Sequence, residues 1–133
     1  MKPLLVENCG AGRVPAGRFY HRNMVNPGFR AGSFDGIVST FAIIHVHHAK
    51  QPKVFRHMAR LLMPGGHFLI SLADESGLHE YVGEHCGEAM YWSGVSIRES
   101  FRRLRRAGFE ILWHRVLGPR GDRHTWILGR KPD

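Results

Sequence analysis

The chain has 133 residues, 43% of them hydrophobic and 23% charged, a balance that suits one folded domain and excludes a disordered chain. Nineteen Lys and Arg against eleven Asp and Glu leave a formal charge of +8, which attracts polyanions at long range but names no partner. No run approaches the roughly 20 apolar residues of a membrane span, and two cysteines, Cys9 and Cys86, cannot build a disulfide framework.

The opening residues, Met1 to Glu7, have no long apolar stretch and no small-residue cleavage site, so no secretion signal is expected and the cytoplasm is the default location. Up to residue 33 the chain is rich in Gly, Pro, Asn and Arg, with poor periodicity. Phe34 to Phe41 is then a short, mostly apolar run that predicts a buried strand. Ala42 to His48 is a connection. Val54, Phe55, Met58, Leu61 and Leu62 recur at helical spacing, with Pro52 tolerated near the first turn. Met63-Pro64-Gly65-Gly66 is expected to stop that helix. His67 to Ala73 predicts a second buried strand, parallel to the first because a helix joins them.

Asp74 to Val95 is expected to be a long connection carrying Tyr81, Tyr91 and Trp92. Ser96-Ile97-Arg98-Glu99 fits a capping box, and Ile97, Phe101, Leu104 and Ala107 set an apolar stripe behind it. Gly108 ends that helix. Phe109 to Leu117 and Arg123 to Gly129 flank Gly118-Pro119-Arg120-Gly121, a hairpin signal. The predicted class is α/β with a mixed sheet.

Several words in this order carry a resemblance: Gly32-Ser33-Phe34-Asp35-Gly36-Ile37-Val38, Ile44-His45, Arg60 to Ser71 around Pro64-Gly65-Gly66, Tyr91-Trp92-Ser93, Ala107-Gly108-Phe109-Glu110, and Trp126 to Pro132. Together, from about residue 17 to the end, they resemble the C-terminal two-thirds of a class I S-adenosylmethionine-dependent methyltransferase of the small type 11 kind. The resemblance implies an incomplete Rossmann-like methyltransferase fold, with parallel central strands and a C-terminal antiparallel hairpin. It implies one domain over residues 1–133, with 1–33 shortened on the cofactor side and 34–133 well matched. It also implies S-adenosyl-L-methionine as cofactor and a small molecule as methyl acceptor.

By the same resemblance, Leu4 to Arg13 looks like a strand and glycine-rich turn, whose Gly10 and Gly12 would approach the cofactor. Asn23 and Met24 fall where relatives hold the adenine, and Ser39, Thr40 and Phe41 lie at the strand end that borders the cofactor. His45, in the next turn, is the candidate catalytic base. His79, Tyr81, His85 and Tyr91 have comparable placement near strand ends. Residues 13–33 are too few for a whole βαβ unit, which takes roughly 30 or more, so the acid that normally holds the ribose has no counterpart.

Two further readings follow. Only Leu4–Glu7 and Arg18–Arg22 remain to cover the edge of Phe34–Thr40, and one sheet face around Ile37 and Phe41 should be bare. A homodimer or a partner protein on that edge is therefore expected, and a non-catalytic interaction protein is an alternative function. Arg102 to Arg106 reads as a solvated helix face, with nucleic-acid binding as the less favoured use. His45, His47, His48 and His57 have no neighbouring carboxylate or Cys pair in sequence, so no metal site is expected.

Overall fold

Strand β1 (Phe34–Ser39) begins the regular part of the chain in the computed structural model, which describes residues 16–133. A 3-10 turn (Ile43–His45) follows, then helix α1 (Gln51–Leu61), which has proline in its first turn and buries Val54, Phe55, Met58 and Leu61 on one face. Helix α1 runs straight into strand β2 (Leu62–Ala73). Strands β1 and β2 are parallel neighbours, with Ile37 beside Phe68 and Ser39 beside Ile70. This is the predicted strand–helix–strand unit.

The Met63–Gly66 word does more than stop the helix. It forms the irregular opening of β2, where the register shifts against β1 between Phe34 and Gly36. Gly65 takes a positive φ of 81°, and Gly65 and Gly66 exchange backbone hydrogen bonds with Lys131. Those bonds extend the ladder through a segment that reads as a turn.

Asp74 to Val95 is not an irregular connection. It holds an antiparallel hairpin, β3 (His79–His85) and β4 (Glu88–Gly94), forming its own two-stranded sheet. Cys86 and Gly87 turn it, both at positive φ (53° and 83°), the handedness that suits a two-residue hairpin loop. Helix α2 (Ile97–Arg106) comes next, its Ser96 hydroxyl accepting the Glu99 N–H at 3.2 Å. The Glu99 carboxylate pairs with Arg102 and Arg103 at 3.0 and 3.5 Å. Gly108 (φ 99°) closes the helix, with Gly108 N–H on the Arg105 carbonyl and Phe109 N–H on that of Leu104.

Strands β5 (Glu110–Leu117) and β6 (His124–Arg130) complete a mixed sheet of order β1-β2-β6-β5, antiparallel beyond β2. The hairpin thus lies on the far side of β2, as expected. Phe68, Ile70 and Leu72 of β2 and Ile127 of β6 form one core with Phe55, Met58 and Leu104 of the helices. No described helix is long and apolar enough to cross a membrane.

The opposite sheet face carries no described helix. Strand alternation places Val38, Leu69, Leu128 and Trp113 in one row across it, and Val38 is 71% exposed. Among the described residues, the face without a helix is therefore centred on Val38 and not on Ile37, which shares the Phe68 side and packs against the core. Residues 18–22 form no strand, so they do not cover the β1 edge. Leu4–Glu7 lies outside the described residues.

Candidate functional site

In an open sheet with parallel strands, the strand carboxyl ends are where loops diverge and leave room for a ligand. Strands β1 and β2 both end beside a cavity of about 780 Å³, within the range of small-molecule sites. Phe41 and His45 reach it from the loop after β1, Asp74 and Glu75 from the end of β2. The β3–β4 hairpin adds Tyr81, Glu84 and Trp92, and the β5–β6 loop adds Asp122 to His124.

Phe41 is held in a conformation that a side chain seldom takes, with φ at 53°. Its N–H donates to the buried Ser71 hydroxyl at 2.8 Å. Its ring lies edge-on to His124 (4.9 Å) and Trp126 (5.7 Å). Backbone strain of this kind costs on the order of 1–3 kcal/mol and persists where surrounding contacts enforce it.

His45 Nδ1 lies 2.7 Å from the Tyr91 carbonyl oxygen. A carbonyl only accepts, so Nδ1 carries the proton and the neutral ring keeps its lone pair on Nε2. The turn that presents His45 is clamped from several sides. The buried Gln51 side-chain amide donates to the carbonyls of Ile43, Val46 and Ser93 at 3.2, 3.0 and 2.9 Å. His48 N–H donates to the Ser93 hydroxyl at 2.8 Å, and Arg103 donates to the His48 carbonyl at 2.6 Å.

The electrostatics run against the chain's overall charge. Asp74, Glu75, Glu84 and Asp122 line the cavity against a single guanidinium, Arg123. Burial, then the carboxylates of Glu75 and Asp122, push the Tyr81 hydroxyl above its ordinary value, so it stays protonated. Tyr81 stacks on Trp92 at 5.2 Å and 22°, directly across the hairpin. Gly83 leaves room for the Trp92 ring.

A second, shallower groove of about 300 Å³ lies along β1 and α1 and is largely apolar, with Met24, Phe34, Ile37, Ser39 and Met58 in its walls. The expected cofactor residues divide between the two spaces. Met24 and Ser39 line the groove, Phe41 lines the cavity with His45, and Thr40 is exposed between them. Asn23 is exposed beside Met24, its side-chain oxygen accepting the Val25 N–H at 3.0 Å. Gly10 and Gly12 lie outside the described residues.

Sequence reasoning missed Glu75, Glu84, Asp122 and His124 in this setting, missed Gln51 altogether, and gave Ser93 no role beyond its place in the word Tyr91-Trp92-Ser93. Only the Cys86-Gly87 pair hinted at the hairpin that brings Glu84 in. That hairpin also supplies a carboxylate, Glu80, near His47 and His48, with possible ligand atoms of all three within 4.8 Å of one another. Ala49 N–H donates to His47 Nδ1 at 3.1 Å, which puts the neutral ring's proton on Nε2. Nε2 lies 3.9 Å from a Glu80 carboxylate oxygen, beyond hydrogen-bond reach. Tyr91 donates to the same Glu80 oxygen at 2.8 Å.

A family model described as a methyltransferase domain matches residues 5–70. That stretch, just under half of the chain, matches a family whose cofactor is S-adenosylmethionine. Among solved structures, a Burkholderia thailandensis 1,6-didemethyltoxoflavin-N1-methyltransferase holding 1,6-didemethyltoxoflavin and S-adenosylhomocysteine is similar at a TM-score of 0.67 and 22% identity, over 82% of this chain and 48% of that one. An S-adenosylmethionine-dependent methyltransferase from Mesorhizobium loti is similar at a TM-score of 0.68 and 17% identity, over 95% and 77%. The cyclase SpnF is similar at 0.72 and 15%, over 96% and 62%. These likenesses show the fold, and the chain spans about half the length of the first relative. No curated protein matches this chain in sequence.

Proposed function

We propose that the chain transfers a methyl group from S-adenosylmethionine to a small-molecule acceptor held in the larger cavity. What carries this reading is His45, in the stretch that matches this family, lining a cavity at the ends of two parallel strands with its lone pair fixed on Nε2. The residues present fit the cofactor in part. An apolar groove walled by Met24 and Ser39 suits an adenine ring and meets the cavity at Ser39–Phe41, while no described acid takes the ribose role. The cofactor supplies an already activated methyl group. The protein's share is to align the acceptor and, at His45 Nε2, to take its proton.

Incubation with methyl-labelled cofactor and pooled small molecules tests this. His45→Gln should lower turnover by about 10²–10⁴-fold, the range for a lost general base, without changing cofactor affinity. Unaltered turnover in that variant would remove His45 from the chemistry.

A second reading has its own observation. The β1 edge has no strand partner among the described residues, and Val38 stands exposed beside it. This supports a homodimer or a partner protein seated on that edge, with or without catalysis.

A further inference from the structure

The larger cavity is an anionic, acceptor-rich space in a cationic chain. Around it stand four carboxylates and the unprotonated Nε2 of His45, and among fixed charges only Arg123 offers donors. Tyr81, Trp92 and Phe41 give it flat aromatic walls, two of them already stacked. A carboxylate or phosphate ligand would face repulsion from Asp74, Glu75, Glu84 and Asp122 together. A bare hydrocarbon would leave those groups without compensation. A flat ring bearing an ammonium or several N–H groups satisfies both features, through carboxylate pairing and cation–π or stacking contacts.

We infer that the methyl acceptor is a planar nitrogen base, an aromatic amine or N–H heterocycle carrying positive charge. This rests on the proposed methyl transfer and narrows its substrate class. The chemistry closes on the same residues. An ammonium group gives a proton to His45 Nε2, its freed lone pair forms the new N–C bond, and the S–C electron pair leaves with sulfur. Tyr81 agrees with the charge assignment, since burial first, and then Glu75 and Asp122, disfavour a negative charge there.

Tryptamine and indole-3-propionate share a ring and carry opposite charge, so they serve as paired probes, titrated into the full chain by calorimetry at low salt without cofactor. Tryptamine should bind at least about ten-fold tighter, a difference of roughly 1.4 kcal/mol, because four carboxylates attract its ammonium and repel the carboxylate of the other probe. Glu84→Gln and Glu75→Gln together should cut that preference to about three-fold or less, since they remove two of the four carboxylates around the cavity. Glu110→Gln, on the far sheet edge, should leave it unchanged. Equal affinities, a preference for indole-3-propionate, or binding of neither probe would overturn the inference. Because the probes need no cofactor, absence of methyl transfer with this preference intact would count against the proposed reaction alone.

Discussion

His57 shows how a single side chain reports its surroundings. It lines the apolar groove, and its pKa is lowered first by burial, then by the charges of Arg60, Lys53 and Arg56. Its neutral form is thus favoured in the folded chain. Stability from this group is complete above the unfolded value of about 6.5 and declines as pH falls toward the folded value. A proton NMR titration should place His57 below 6.5, and Arg60→Gln should raise it. A His57 titrating at or above 6.5 would contradict the assignment. Ser93 is a second case, buried at 1% exposure with its hydroxyl on the His48 N–H. Ser93→Ala should cost about 1–3 kcal/mol in chemical denaturation, the penalty for orphaning a buried donor. His45 was legible because it belongs to a local word. The roles of Ser93 and Gln51 were not, since the Ser93–His48 and Gln51–Ser93 bonds join segments more than 40 residues apart in sequence.

Elements were legible where their signals are local. Ser96 and Gly108 bound α2 as read, because a cap and a left-handed residue act within one turn. The β1–α1–β2 unit was legible from apolar runs whose lengths differ between strand and helix. The β3–β4 hairpin was not, because most of β3 is exposed and so carries little apolar alternation, and its Cys86-Gly87 turn has only half of the usual pair. The sheet's tightest approach is at Gly129, where an added Cβ would collide with the Phe68 ring and approach the Glu110 carbonyl at 3.0 Å. Phe68 is 1% exposed and cannot swing away. Gly129→Ala should destabilise the chain by about 1–3 kcal/mol or more, as overpacking does. Thermal unfolding of that variant with an unchanged midpoint would show that the β2–β6 packing yields.

Across the described residues, two helices cover one face of a four-stranded sheet, and the other face displays the Val38–Leu69–Leu128–Trp113 row. The shortness of residues 13–33 led to the expectation of an open β1 edge, and among the described residues that edge has no strand partner. Which face lacks a described helix was misread by one residue, because strand alternation puts Val38 and Ile37 on opposite sides. Sedimentation at micromolar concentration should show self-association, and Val38→Arg should reduce it. A monomer at all concentrations would mean that the edge is closed within the chain. The cofactor itself bears on the largest question. Calorimetric titration of the purified chain with S-adenosylmethionine should show saturable one-to-one binding, weakened by about one to two decades relative to a member that keeps the ribose-binding acid. No binding at millimolar cofactor would contradict the methyltransferase reading of this site.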